Sequence, residues 1–353
     1  EGVVSSVKML VNDNIETVTI KGKDYKISYI NDEIIKKIFE ISVHALEDIF
    51  IEEYEKRVVM GVPVTFGTNK RKILKNSVEK LGYECELLSE PTAAALYYAY
   101  SLKINFETLL VLDIGAGTFD AAILEHNNNR NYYKPEPFEI KAQGGNHFAG
   151  NRCDECMTEI LIDKIRANPG TLDINKITDT RRSEYRQLKV HARVIKEGLS
   201  DIDTFTHTIT AGTHGAATVT VTRSEFENKI REAVINPAFD IAETLVNNQN
   251  LSNKSFKIIL VGGSSHIPLV KKAVAERFYW IPKKDIIIRN PEKAVALGCA
   301  LYAEEPAFKR KIAYGYAIQT YDENMNTGLD VCVPSNIKLP YTFESEYATL
   351  LDG

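Results

Sequence analysis

The sequence predicts an α/β chain with mixed sheets. Three observations carry this. Leu109 to Glu125 reads LLVLDIGAGTFDAAILE: two apolar runs about a Gly-Ala-Gly turn, the pattern of a buried β-hairpin. Elsewhere, short β-type runs alternate with segments of helical periodicity. Two strand-to-helix junctions are glycine-rich, AQGGNHFAGN (Ala142–Asn151) and LVGGSSHIP (Leu260–Pro268).

In chain order, residues 17–28 alternate as a short hairpin around Lys21-Gly22-Lys23. Asn31 or Asp32 is placed to cap a helix to about Phe50, with Ile35, Ile38, Phe39, Leu46 and Ile49 at helical spacing. Arg57 to Val62 reads as a buried strand ending at Pro63. A helix from about Asn69 stops at Gly82, and Tyr83 to Leu87 is a strand. Pro91 suits the first position of the next helix, with Glu90 just before it. After the central hairpin, a strand (Phe138 to Ala142) leads to a glycine loop at Gly144-Gly145. A helix from Gly150 to Ala167, a polar loop over 168–180 and a helix from Arg182 to Leu199 follow. Phe205–Thr210 and Ala217–Val221 form a strand pair around Gly215. Thr222 with Glu225 makes a capping box for one long helix to Asn247. Lys257–Val261 and Ile286–Ile288 are strands, and Pro291 opens a helix to Ala303. Pro306 to Lys311 reads as a linker, and residues 312–353 are β-prone, with turns at Asp322-Glu323-Asn324 and Pro334-Ser335.

At 353 residues and 44% hydrophobic, the chain can bury a large core in more than one lobe. No apolar run is long enough to span a bilayer. The start, EGVVSSVKML, lacks a secretory pattern. A net charge of −5, with only the short clusters Lys70-Arg71-Lys72 and Lys309-Arg310-Lys311, argues against broad nucleic-acid binding. Five cysteines, an odd number, do not make a disulfide framework and fit a reducing compartment. Cys153 and Cys156 form a lone C-x-x-C with no second pair for zinc. They read as a helix start with both thiols near one face.

The tip of the central hairpin carries the chemistry. Backbone amides of a glycine turn can approach an anion closely. Carboxylates beside it, Asp113 and Asp120, with the Thr118 hydroxyl, suit a hydrated Mg²⁺ at a phosphate. The bland alternative is an ordinary hairpin with a glycine-rich turn.

Together with SEPTAAALYYAY (Ser89–Tyr100) and the two glycine junctions, in this order and at these separations, the hairpin makes the chain resemble the 70-kDa heat-shock (DnaK-like) chaperones of the actin-type ATPase superfamily. The resemblance runs from about Val18 to Ala303. It implies an actin-like, two-lobed nucleotide-binding domain over 1–306, with lobe I at 1–105 and 290–306 and lobe II at 106–289. A linker at 307–311 and the opening of a β-rich substrate domain over 312–353 follow. It implies ATP or ADP with Mg²⁺ as ligands. Asp113 would hold the Mg²⁺ shell through water. Glu90, Thr118 and Asp120 would complete the catalytic set, Glu90 orienting the attacking water. Gly115, Ala116 and Gly117 match the phosphate loop, with Ala116 in place of a glycine. That is tolerable only if its φ stays below zero. Gly144, Gly145 and Gly150 match the ribose-side loop, Gly145 replacing an aspartate and Asn151 a glutamate. Lys196 and Ser200, and Gly262, Gly263, Ser264, His266 and Glu292, match nucleoside contacts, His266 replacing an arginine. Arg193 and Glu197 stand with their charges exchanged, an arrangement expected to keep an ion pair one turn apart. Pro63 and Arg71 resemble the pair that relays nucleotide state to the other domain.

The resemblance also has gaps. The family's first phosphate hairpin and catalytic lysine have no counterpart, so little hydrolysis is expected from these residues alone. As given, the sequence is a fragment, a chain with a missing start, or a degenerate member. The implied function is a cytoplasmic, ATP-dependent folding chaperone of the stress response. Its partners would be unfolded polypeptides and a J-domain co-chaperone, with no direct nucleic acid and no membrane. The alternative is an atypical, weakly hydrolysing co-chaperone or exchange partner of another 70-kDa chaperone, at the ribosome or like the 110-kDa relatives. A sugar kinase or actin-like filament of the same fold ranks third.

Overall fold

The computed structural model describes residues 16–20, 22–48, 56–126, 138–178, 183–211, 215–304, 316–321 and 327–333. Among them the chain is a mixed α/β protein built around a five-stranded sheet. A hairpin of β1 (Thr17–Ile20) and β2 (Lys23–Lys26) turns through Gly22 at φ +77° and leads into α1 (Ile27–Asp48). The helix starts four residues before the expected cap. Asn31 and Asp32 lie inside it and hold it to the next helix, α2 (Thr68–Glu79). Asn31 Nδ2 donates to Ser77 Oγ at 2.8 Å, and Lys80 Nζ meets Asp32 at 2.7 Å. The polar pair reads as a cap in one dimension and serves as an interhelix clasp in three.

Strands β3 (Arg57–Val62) and β4 (Glu84–Ser89) pair in parallel, with α2 as their crossover. Helix α3 (Glu90–Leu96) follows β4 directly. Its cap is Ser89, whose Oγ accepts from the Thr92 amide at 3.3 Å. Glu90 is therefore the first helical residue rather than the one before the helix. A π-turn, Tyr97–Ser101, ends this helix.

The main sheet contains β5 (Thr108–Ile114), β6 (Phe119–His126), β7 (Phe138–Asn146), β10 (Lys257–Val261) and β11 (Ile286–Ile287), in the order β11-β10-β5-β6-β7. The β5-β6 and β6-β7 pairs are antiparallel and the β10-β5 and β10-β11 pairs parallel. Between β7 and β10 lie α4 (Gly150–Ala167), α5 (Ile174–Ile177), α6 (Ser183–Asp201), the hairpin β8 (Thr204–Thr210) and β9 (Ala216–Thr222), α7 (Arg223–Ile230) and α8 (Asn236–Asn248). Helices α9 (Pro268–Arg277) and α10 (Ala294–Glu304) flank β11. A separate hairpin pairs β12 (Tyr316–Tyr321) with β13 (Thr327–Val333). The expected linker and the turn at Pro334-Ser335 lie outside the described residues.

Period-2 alternation assigns the sheet two buried faces. Leu110, Leu112, Ala121, Ile123, Ile258 and Leu260 enter a core with α4, α6, α8 and α9. Leu109, Val111, Ala122, Leu124, Ile259 and Val261 enter a second core with α3 and α10. Cys153 and Cys156 are buried on α4 in the first core, and burial pushes the Cys153 thiol up to about 12.

Four other expectations are corrected. The 168–180 loop contains α5. The capping box at Thr222 and Glu225 is present, but the helix it starts is interrupted by a π-turn, Arg231–Ile235, just before Pro237. Proline cannot donate to the i−4 carbonyl and crowds it, and the wider turn accommodates that defect. The last helix begins at Ala294, because Asn290 at φ +45° and Pro291 form a turn first. Gly144 and Gly145 lie within β7 rather than in a loop.

Candidate functional site

The hairpin turn between β5 and β6 joins Ile114 to Phe119. Gly115 N–H is used within the turn, donating to Thr118 O at 3.0 Å. The amides of Ala116, Gly117 and Thr118 make no backbone hydrogen bond among the described residues. Ala116 is absent from the positive-φ residues, so its methyl imposes no strain. Neither Gly115 nor Gly117 has positive φ.

Asp113 and Asp120 are direct cross-strand partners in this hairpin. Both are buried, and by alternation both point to the face of Val111 and Ala122. Like charges placed opposite each other across two strands are destabilising. Such a pair fits a divalent cation that offsets the repulsion. Among the described residues no set of three metal-ligating side chains converges. The pair therefore suits a hard cation that keeps most of its water, as Mg²⁺ does.

Glycines close around these carboxylates. Gly262 has φ +83°, its amide donates to Pro291 O at 2.9 Å, and an added Cβ would come 2.5 Å from Asp113 Oδ1. Gly145 pairs with Asp120, and an added Cβ would lie 2.4 Å from Phe119 O and 3.1 Å from Asp120 Oδ1. Gly144 is set apart, its α-carbon facing Ile241 and Leu245. Gly150 donates to Gly115 O at 3.0 Å, and Ser264 Oγ donates to the same oxygen at 3.0 Å. The start of α4 is thus engaged with the turn's carbonyls rather than with its amides.

Glu90 is buried at the start of α3, which packs on β5 and β6 on the carboxylate-bearing face. Gly61 of β3 abuts it: an added Cβ would reach 3.6 Å from Glu90 Cγ and 2.6 Å from Val295. Cys299 lies close by, its thiol raised to about 12 by burial and further by the charge of Glu90. Pro63 and Arg71 are joined directly: Arg71 donates to Phe66 O at 2.9 Å and to Pro63 O at 3.4 Å. Between them, Thr65 Oγ1 donates to Asp120 Oδ1 at 3.4 Å. Thr65 gave no sequence signal, since a threonine after Val-Pro-Val resembles any strand exit.

Beside the turn opens a cavity of about 530 Å³. It gathers Ala116, Gly150, Lys196, Ser200, Gly263, Ser264 and His266, expected separately along more than a hundred residues of sequence. Glu292 meets this rim through His266 at 3.1 Å. Its own backbone amide, then His266, hold the Glu292 carboxyl below its ordinary range. The expected Arg193–Glu197 pair is not the one formed. Arg193 turns to Asp154 (3.5 Å), which also holds Lys196 at 2.6 Å. Asp154 is buried because α6 covers this end of α4. A carboxylate near a helix start reads as surface until that covering helix is known.

Compared with known proteins, residues 3–306 match the family model described as Hsp70 protein. The mixed α/β core, with its acidic glycine hairpin and flanking cavity, is the actin-type nucleotide-binding architecture of that family. The chain belongs to the Hsp70 family. It is similar to the "Chaperone protein DnaK" of Carsonella ruddii (strain PV), at 31% identity over 305 residues, 84% of this chain. It spans 48% of that relative's length.

Proposed function

We propose that this chain is the nucleotide-binding part of an ATP-dependent chaperone, coupling ATP binding and hydrolysis to the capture of unfolded polypeptides. The observation that carries the reading is the opposed pair Asp113 and Asp120 beside a glycine turn, three of whose amides make no backbone hydrogen bond among the described residues. The amides suit the phosphates, the carboxylates suit a hydrated Mg²⁺, and the cavity suits the nucleoside. Asp113 would hold the cation's water shell, with Thr118 and Asp120 beside it. Glu90, on the same face, would orient the attacking water. Gly115 and Gly117 let the backbone approach the phosphates, and Gly262 keeps space at Asp113. Lys196, Ser200, Gly263, Ser264, His266 and Glu292 would contact the nucleoside, with Gly144, Gly145 and Gly150 supporting from β7 and α4. Pro63 and Arg71, tied to Asp120 through Thr65, would relay the site's state outward. The lobes, linker and β-rich segment follow the boundaries expected above, and a cytoplasmic setting with a J-domain partner belongs to the same reading.

The test is calorimetric binding of Mg-ATP and Mg-ADP to the full-length protein, followed by single-turnover hydrolysis. Binding with turnover that disappears in Glu90→Ala and Asp113→Ala supports the reading. Binding without turnover sinks the ATPase and leaves a regulatory partner, and absence of binding sinks both.

A further inference from the structure

The turn between β11 and α10 is exposed at Arg289 and Asn290, yet two side chains tie it down from below. Beneath it lies Tyr98, fully buried in the π-turn that ends α3. Its hydroxyl accepts from the Arg289 amide at 2.8 Å and donates to the Arg289 carbonyl at 3.0 Å. A phenol has one proton to give and lone pairs to accept with, and here both are used on the backbone of one residue. Burial pushes this phenol up to about 12, so it stays protonated and keeps both roles at neutral pH. Next to it, the Tyr97 hydroxyl accepts from Asn290 Nδ2 at 2.6 Å. Asn290 has a left-handed φ of +45°, and its carbonyl accepts from the Lys293 and Ala294 amides, both at 2.9 Å. Two adjacent tyrosines thus hold two adjacent residues of a turn 191 to 193 positions later in the chain.

The same turn reaches the candidate site. Pro291 O accepts from the Gly262 amide at 2.9 Å, and Gly262 abuts Asp113. Glu292 meets His266 at 3.1 Å on the cavity rim. Residues 289 to 292 therefore run from the tyrosine clasp to the cavity without a break. The other end of the clasp is α3, which begins at Glu90. Core packing accounts for the rings, which meet edge to face with centroids 5.6 Å apart. It does not account for the hydroxyls, whose partners all lie in the exposed turn.

We propose that the Tyr97–Tyr98 pair is a positioning device for the nucleotide cavity: its two hydroxyls fix the turn at 289–292, and so set Gly262 and Glu292 at the cavity in register with Glu90 on α3. The inference rests on the nucleotide reading above and adds what holds one wall of the site in place. Both tyrosines act through the turn rather than on the ligand. Without the Tyr98 hydroxyl the turn samples other positions, and the ligand binds only the competent fraction. Two hydrogen bonds correspond to about 5- to 100-fold in affinity.

The test is calorimetric Mg-ADP binding to the full-length protein and to Tyr98→Phe, with amide exchange measured residue by residue in both. Tyr98→Phe keeps the ring and is expected to weaken Mg-ADP by at least about 5-fold. Without nucleotide, its Gly262 amide, which donates to Pro291 O, is expected to exchange faster than in the wild type. The Gly115 amide, which donates to Thr118 O within the hairpin turn, keeps its wild-type rate. A merely structural tyrosine would lower the unfolding midpoint and leave ADP affinity unchanged, and an unchanged affinity overturns the proposal. So does weakened binding with Gly262 exchange unaltered, or with both amides opened alike, because the effect then does not travel through the turn. Should Tyr98→Phe fail to fold, Asn290→Gly removes the bond to Tyr97 at a φ that glycine adopts freely. The same two shifts are expected of it, and ADP affinity at the wild-type level overturns the proposal. A wild type that binds no ADP fails the nucleotide reading and the positioning role with it, whereas a binding wild type with an indifferent Tyr98→Phe fails the positioning role alone.

Discussion

At Gly262 the residue scale is decided by space. Its positive φ disfavours any side chain, and an added Cβ would meet Ile114 O at 2.4 Å as well as Asp113. Gly262→Ala is expected to cost about 1–3 kcal/mol in urea unfolding and to weaken Mg-ADP binding through the displaced carboxylate. Gly145 gives a more pointed case. Relatives expected by resemblance carry aspartate there, yet here a Cβ would run into the β6 backbone. Gly145→Asp should therefore destabilise rather than restore, by about 1–3 kcal/mol on the same measurement. Ala116 stands at the opposite extreme, exposed and with negative φ. Ala116→Gly is expected to lower stability by no more than about 1 kcal/mol, through unfolded-state entropy, with Mg-ADP affinity unchanged.

Elements show where one-dimensional signals hold. Helix α7 is started by Thr222 and Glu225, and Glu225 also bonds Lys164 of α4 at 2.7 Å. Lys164, then the Thr222 amide, lower the Glu225 carboxyl to about 2 from an ordinary 4.5. A depressed carboxylate contributes stability above its unfolded pKa and loses it as pH falls toward the folded value. The stability gap between wild type and Glu225→Gln should therefore be full at pH 6 and shrink between about 4.5 and 2, read from urea curves at each pH. Capping chemistry of this kind was legible because it is local. The β5–β6 hairpin was legible for the same reason, with two apolar runs and a glycine turn inside 17 residues. Gly144 and Gly145 were not, since glycine signals a break locally while β6 imposes a ladder from outside. The π-turn before Pro237 was missed: the segment read as one long helix, and the repair of the proline defect by a wider turn depends on the core that α8 must still reach. Lys196 and Ser200 had no local signature, and only the resemblance singled them out. Asp154 had neither.

For the whole molecule, the main sheet is a wall shared by two cores. Leu110 and Leu112 face one side, Leu109 and Val111 the other, so neither core can melt without exposing the far side of the same strands. Hydrogen exchange should find the slowest amides in β5, β6 and β10, with both flanking helix sets opening no later. The second core is closed by α10, which lies so near α3 that a Cβ on Gly298 would come 1.7 Å from Ala93 O. Gly298→Ala is expected to separate the two helices, costing about 3 kcal/mol or more, seen as a lowered unfolding midpoint with loss of Glu90-dependent turnover.

That last contact also sets a schedule for biosynthesis. Roughly 200 residues separate Leu96 from Ala294, the start of the helix that seats it. At about 5–20 residues per second, a ribosome takes about 10–40 s to make them. Throughout that interval the alanine-rich α3, Ala93 to Leu96, is already synthesised without the helix that will cover it. A nascent chain stalled before residue 294 should remain open to a protease at this helix, and one released after residue 304 should be protected.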